Sequence, residues 1–201
     1  TYRGPRIASV SKVNSTTFDG NLTHDNGSDF TPASAITGWR VTDGGTPVTV
    51  STAVRQSASK VRLVLASAPT ALPVVQYDYG MAPDISGVLK DNSALTLPLE
   101  FNGGVTAVEK TASVNLVNAS NAAQASLTGL KWAWFDGVTP DAFSAPTDQG
   151  TGESTDGSGV LTVTIGNSSK TTGQVGWMIV TDSDGTTAMT HKAFSGPVEV
   201  S

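Results

Sequence analysis

Short runs of alternating apolar and polar side chains recur along this chain and limit what it can fold into. In residues 61–65 every odd position is apolar, and in residues 160–165 three apolar residues alternate with threonines. A period of two places such apolar side chains on one face of a β-strand. The 21 glycines and 10 prolines favour many turns between short strands. The sequence therefore predicts an all-β fold, with at most one helical turn, in residues 117–130.

The strand-like runs form two groups, one in each half of the chain. They cover residues 7–13, 36–41, 48–54, 60–65 and 73–79, and then residues 112–117, 127–135, 160–165, 176–181 and 193–200. A polar segment with two glycines, residues 101–106, separates the groups. We predict two consecutive antiparallel β-sandwich domains of the Ig-like or fibronectin-like type, over residues 1–102 and 103–201. Residues 182–185 predict a hairpin turn, and Pro197 is typical of an edge strand.

Composition and charge exclude several functions. The chain has no cysteine, which rules out disulfides and thiolate metal sites. The net charge is −5, and from Thr106 onward nine acids face four lysines, so we expect no nucleic-acid binding. The absence of an apolar run of about 18 residues predicts no membrane insertion. A start at Thr1, without a methionine or a signal segment, predicts a processed protein or a fragment of a longer one.

The first half resembles a known accessory domain in the order of its motifs. These are GPRIASV at 4–10, ITGWRV at 36–41, the alternating run at 61–65, VQYDYG at 75–80 and LPL at 97–99. Together they resemble the C-terminal β-sandwich that follows the catalytic domain in sialate O-acetylesterase-type SGNH hydrolases. The resemblance implies a domain that accompanies an esterase, although the catalytic Gly-Asp-Ser or Gly-Gln-Ser and Asp-x-x-His motifs of that family are missing here.

The second half resembles an Ig-like or transthyretin-like domain found in proteins of tailed phages and phage-like particles. The motifs concerned are LTGLKWAWFD at 127–136, TP at 139–140, APTDQG at 145–150, TDGSGV at 155–160 and GWMIVTDSDG at 176–185. The resemblance implies a protein at the surface of a virion or particle. Family context alone does not establish an activity.

No residue pattern predicts catalysis or a metal site. Neither His24 nor His191 has a carboxylate three residues before it, so we assign both structural roles. The pairs Asp136 with Asp141 and Glu153 with Asp156 are the acids that glycoside hydrolysis would need, but they lie in loop sequences where acids usually cap turns. The segment 182–185 lacks the remaining ligands of a calcium loop, which leaves open only a site assembled from distant loops. We predict no catalytic residue, cofactor or metal.

Aromatic residues offer the best candidate binding surface. Sugar rings present apolar C–H faces that stack on aromatic rings, and neighbouring carboxylates accept hydrogen bonds from hydroxyl groups. We therefore predict a carbohydrate site among Tyr77, Tyr79, Trp132, Asp136 and Asp141. The alternative is that large aromatics on one strand face form the core, because each buries about 150 to 250 Å²; Trp134 and Trp177 are assigned to the core.

These observations favour a non-enzymatic structural protein, a spike, fibre or decoration element on the surface of a virion or phage-like particle. We expect it to attach to host surface polysaccharide, as a homo-oligomer that contacts capsid or tail proteins and whose multivalency offsets weak single-site affinity. One alternative is the accessory region of a carbohydrate O-acetylesterase whose catalytic domain lies outside this chain. Another is a capsid or tail cement that binds no glycan, which predicts a large apolar contact patch.

Overall fold

Extended strands joined by turns make up the computed structural model, which describes residues 3–78, 86–100, 102–118, 120–137, 145–181 and 194–201. These residues contain sixteen strands and no helix. The predicted all-β class is confirmed. The hairpin turn predicted at residues 182–185 lies outside the described residues. The chain divides into two compact units, Thr1–Glu109 and Lys110–Ser201.

The first unit contains ten strands. They are β1 (Arg6–Lys12), β2 (Thr17–Thr23), β3 (Phe30–Thr31), β4 (Trp39–Asp43), β5 (Thr46–Val48), β6 (Val50–Ser57), β7 (Lys60–Leu65), β8 (Val74–Tyr77), β9 (Lys90–Asp91) and β10 (Val105–Val108). Eight of them form one sheet in the order β5-β4-β8-β10-β1-β2-β7-β6, in which β1 and β10 are parallel and the other pairs antiparallel. The two short strands β3 and β9 pair with each other.

Strand β10 explains where the first unit ends. It lies between β8 and β1 in the sheet, and Ala107, near its end, is buried in the core of the first unit. The boundary predicted between residues 102 and 103 falls before this strand, whereas the compact first unit extends to Glu109. Val105 and Thr106, the last two residues of the segment predicted to be a linker, belong to β10.

Alternation along the strands builds the core of the first unit. In β7 the apolar residues Val61, Leu63 and Leu65 are buried, and the residues between them are only partly buried. One charged group is also fully buried: the Asp19 carboxylate accepts two hydrogen bonds from the Arg62 guanidinium, at 2.8 and 3.0 Å. Asp19 and Arg62 are direct partners across β2 and β7, so sheet register holds this ion pair in place.

The second unit contains six strands. They are β11 (Thr111–Asn115), β12 (Leu130–Phe135), β13 (Asp148–Glu153), β14 (Val160–Thr164), β15 (Val175–Thr181) and β16 (Phe194–Glu199). Four form an antiparallel sheet in the order β13-β12-β15-β16, which we call the second sheet, and β11 pairs with β14. As Pro197 predicts, β16 is an edge strand of the second sheet.

The core of the second unit lies against one face of the second sheet. Leu130, Trp132 and Trp134 of β12 and Met178 and Val180 of β15 are buried there. The residues that alternate with them point to the opposite face, which we call the outer face. Strand β12 is therefore apolar on its inner face and carries Lys131, Ala133 and Phe135 on its outer face.

Candidate functional site

Tyr77 belongs to the core of the first unit. Its side chain is fully buried, and its hydroxyl oxygen accepts a hydrogen bond from the backbone N–H of Leu89 at 2.7 Å. Its ring meets the Trp39 ring edge to face, with 5.0 Å between centroids. Tyr77 therefore presents no ring face to a sugar. Its predicted companion Tyr79 lies outside the described residues.

Asp136 connects the end of β12 to a loop of the second unit. One carboxylate oxygen accepts hydrogen bonds from the indole N–H of Trp134, at 2.9 Å, and from the Ser168 hydroxyl. The other accepts from the backbone N–H and the hydroxyl of Ser169, both at 2.7 Å. Four donors thus occupy the group that was predicted to receive sugar hydroxyls. Asp141, its predicted partner, lies outside the described residues.

The surroundings of Asp136 act on its pKa in opposite directions. Partial burial raises the pKa, because a charged carboxylate is costly to desolvate. The hydrogen bonds from Ser168, Ser169 and Trp134 stabilise the charged form and together outweigh burial, so the pKa lies below its ordinary value of 3.8. Asp136 is therefore a charged structural group across the neutral pH range.

The tryptophans of the second unit lie on both faces of the second sheet. The predicted core position is confirmed for Trp134, which is fully buried, and is wrong for Trp177, which is only partly buried. Trp177 lies between the buried residues Gly176 and Met178, so it points to the outer face. Trp132, predicted to bind carbohydrate, is 6% exposed and packs in the core.

Gly150 on β13 makes room for the Trp132 ring. The two residues are direct partners across β13 and β12. A Cβ atom at Gly150 would lie 2.5 Å from the indole nitrogen of Trp132, so the ring occupies the space that any side chain would need. That nitrogen is buried and has no hydrogen-bond partner in the described structure. Trp132 thus supports β13 from the inner face.

An open groove of about 470 Å³ lies over three strands of the second sheet. We call it the outer-sheet groove; it is lined by Lys131, Trp132, Ala133, Gln149, Gly150, Thr151, Ile179 and Thr181. Most of these residues belong to two rows fixed by strand register. One row is Thr151, Lys131 and Thr181, and the next is Gln149, Ala133 and Ile179.

The side chains of the two rows provide a mixed surface. Ala133 and Ile179 are adjacent across β12 and β15 and form an apolar pair, and the other side chains of the two rows provide two hydroxyl groups, one primary amide and one ammonium group. Among the described residues that line the groove, none is acidic. Hydroxyl and amide groups both donate and accept hydrogen bonds, whereas the ammonium group only donates. The groove therefore combines an apolar contact area with polar groups of both kinds.

A smaller cavity in the first unit has its charges already paired. It has a volume of about 250 Å³ and is lined by Lys12, Phe18, Leu72, Glu109 and the segment around Thr70, among others. The Lys12 ammonium lies 3.0 Å from a Glu109 carboxylate oxygen. No such ion pair is found for Lys131 in the described part of the chain, and its side chain is exposed. The outer-sheet groove is therefore the better candidate for binding a charged ligand.

Other acids serve turns and loops. The Asp156 carboxylate accepts from the backbone N–H groups of Ser158 and Val160, at 2.8 and 2.9 Å, which is the turn role predicted as the alternative to catalysis. His24 contacts the Ala58 carbonyl oxygen at 2.9 Å, and His191 lies outside the described residues. Within the described ranges, no group of three or more His, Cys, Asp or Glu residues is placed to hold a metal ion. The described structure also has no helix long and apolar enough to cross a bilayer.

Most of the outer-sheet groove was not predicted from the sequence. The two strands that supply Lys131 and Thr181 were predicted, but β13, which supplies Gln149 and Thr151, was not, and the predicted site consisted of aromatic and acidic residues. The sequence signal that could have identified the groove was the set of residues in each alternating strand that point away from the core. The pairing of three strands that are distant in sequence is what brings these residues together.

No protein-family model and no curated protein matches this chain. Among solved structures it resembles the N-terminal part of the bacterial S-layer protein SbsC, with a TM-score of 0.40 and 16% identity over 97% of this chain and 43% of that one. A longer structure, the S-layer protein rSbsC(31-844), gives a TM-score of 0.41 at 16% identity over 97% of this chain and 25% of that one. The chain thus spans less than half the length of these structures. At so low a TM-score and identity, nothing about function follows from the likeness.

Proposed function

We propose that this chain is a non-enzymatic structural protein on the surface of a virion or phage-like particle, where it attaches to host polysaccharide through the outer-sheet groove. The observation that carries the proposal is the groove itself, in which the apolar pair Ala133 and Ile179 lies beside a row of polar side chains. The particle context is supported by the motifs of the second half of the sequence, which resemble those of phage surface proteins.

The chemistry of the groove matches a sugar chain. A sugar ring has apolar C–H faces and a rim of hydroxyl groups, and Ala133 and Ile179 provide the apolar contact while Gln149, Thr151 and Thr181 exchange hydrogen bonds with hydroxyls. An open groove on a sheet face contacts only part of a ligand, so each site is weak. Repeated copies on a particle convert weak sites into firm attachment.

A structural role is also supported by how the loops are held. Because the chain has no cysteine, no disulfide holds its loops, and aspartate carboxylates stabilise some of them by accepting hydrogen bonds. The Asp43 carboxylate accepts from the backbone N–H and hydroxyl of Thr70, at 2.6 and 2.8 Å, and Asp91 accepts from Ser93 and Leu97. Carboxylates used in this way are engaged in hydrogen bonds that hold the protein's shape.

The test is a glycan array probed with the intact chain coupled to beads, so that many copies act together. We expect retention of at least one bacterial surface polysaccharide. The double variant T151V/T181V removes two groove hydroxyls with little change in shape, in strands that accept valine well, and should weaken retention. The matched control T52V lies on an exposed position of β6 in the first unit and should bind as the wild type does.

Two outcomes would contradict the proposal. If the beads retain no polysaccharide at all, attachment is wrong. If they retain one but T151V/T181V binds as tightly as the wild type, the outer-sheet groove is not the site. Circular dichroism of each variant confirms that the strands are intact.

A further inference from the structure

We infer that the outer-sheet groove selects a polysaccharide that bears carboxylate groups, and that the Lys131 ammonium binds the sugar carboxylate. The inference rests on the proposed attachment function and adds the class of ligand. It assigns Lys131 the charged contact, Thr151 and Thr181 the hydroxyl contacts beside it, and Ala133 and Ile179 the contact with the ring.

Charge singles out Lys131 in this part of the molecule. Residues 110–201 contain eight acids and four lysines and no arginine, so their net charge is 4 − 8 = −4. Among the described residues that line the groove, Lys131 is nevertheless the one cationic side chain, and none is acidic. Its exposed ammonium is therefore positioned to attract an anion locally, although residues 110–201 carry a negative net charge.

Sheet register gives the site its dimensions. Thr151, Lys131 and Thr181 are adjacent across three strands, so their row spans about 10 Å, because neighbouring strands lie about 4.8 Å apart. The row of Gln149, Ala133 and Ile179 lies about 7 Å along the strands, because side chains on one face recur every second residue. When the sugar carboxylate binds the Lys131 ammonium, the ring of that sugar lies over Ala133 and Ile179. The neighbouring ring of the polysaccharide then reaches Gln149.

The same features disfavour other anions. A nucleic acid would meet an overall charge of −5 and, among the described lining residues, one lysine, whereas such ligands are held by several phosphate contacts. A lone phosphate is typically bound by arginine forks or by convergent backbone N–H groups, and this groove instead has side-chain hydroxyls beside an apolar pair. A sugar that bears a carboxylate contacts the Lys131 ammonium with its charged group and the apolar pair Ala133 and Ile179 with its ring.

The experiment measures retention of the intact, bead-coupled chain on two probes, polygalacturonate and neutral dextran, over a range of NaCl concentrations. We expect the wild type to prefer polygalacturonate and to lose it as salt rises, because exposed charge pairs are screened. K131A should weaken polygalacturonate binding by about fivefold per site, the upper range for an exposed pair. K131R keeps the charge and should retain most of the binding, and K170A, a lysine outside the groove, should behave as the wild type does.

The outcomes separate the two proposals. Equal binding of both probes, or polygalacturonate binding that K131A leaves unchanged, overturns the selection of carboxylates while attachment to polysaccharide stands. If neither probe is retained and the glycan array is also blank, the attachment function itself fails. Equal melting temperatures for K131A and the wild type confirm that any loss of binding is not a loss of fold.

Discussion

Replacing Asp136 by alanine should destabilise the second unit without removing a ligand contact. The carboxylate accepts four hydrogen bonds that tie the end of β12 and the Trp134 indole to Ser168 and Ser169. At a net value of about 1 kcal/mol for each hydrogen bond, the four together contribute about 4 kcal/mol. Because Asp136 is partly exposed, and Trp134 keeps a hydrogen bond to the Ser168 hydroxyl at 3.1 Å, we expect a loss of about 2 to 3 kcal/mol.

Urea unfolding followed by tryptophan fluorescence measures this loss. The comparison variant is D156A, which removes a turn carboxylate that accepts two backbone hydrogen bonds in the described structure and should cost less. A D136A variant that loses less than about 1 kcal/mol would refute the structural role, since that is the value of a single hydrogen bond. If D136A were as stable as the wild type but lost polysaccharide binding, Asp136 would be a ligand contact after all.

The pH dependence gives an independent check on the same group. The folded pKa of Asp136 lies below its ordinary value of 3.8, so the unfolded state binds its proton more readily. Its contribution to stability is therefore complete above the unfolded pKa and is lost as pH falls through the folded pKa. Below pH 3.8 the stability difference between wild type and D136A should shrink. A difference that stays constant through this acid range would contradict the assignment.

Two further variants test the core of the first unit. R62M removes both hydrogen bonds to the buried Asp19 carboxylate and leaves Lys60, 3.6 Å away, as its remaining described cation. We expect the free energy of unfolding in urea to fall by about 3 kcal/mol. A fall of less than about 1 kcal/mol would argue against a paired buried charge. Y77F leaves the backbone N–H of Leu89 without its acceptor and should cost about 1 to 3 kcal/mol with polysaccharide retention unchanged, whereas reduced retention at full stability would restore Tyr77 as a binding residue.

The strands that sequence alone predicts best are those with one buried face. The strand predicted at 60–65 matches β7 (Lys60–Leu65), because its alternation records burial on a single face. By contrast, β2 (TFDGNLT) and β13 (DQGTGE) have the composition of turns and were missed. Their extended conformation comes from pairing with neighbouring strands, since tertiary context overrides weak local propensity.

The candidate site was harder to predict for a related reason. Aromatic residues stand out in a sequence, but Tyr77 and Trp132 are large apolar groups and the fold buries both. Lys131, Thr151 and Thr181 are unremarkable residues on three strands, and only the register of those strands makes them neighbours. Register depends on pairing between distant segments, which a single sequence does not specify.

The most direct measurement is a map of backbone amide chemical-shift changes when a galacturonate oligosaccharide is added to the intact chain. The proposed role of Lys131 predicts that the changes concentrate on β12, β13 and β15, around Lys131, Thr151 and Thr181, and that the same titration of K131A needs about fivefold more oligosaccharide to reach its midpoint. Changes confined to the first unit, or a titration of the wild type in which these three strands do not respond, would contradict it.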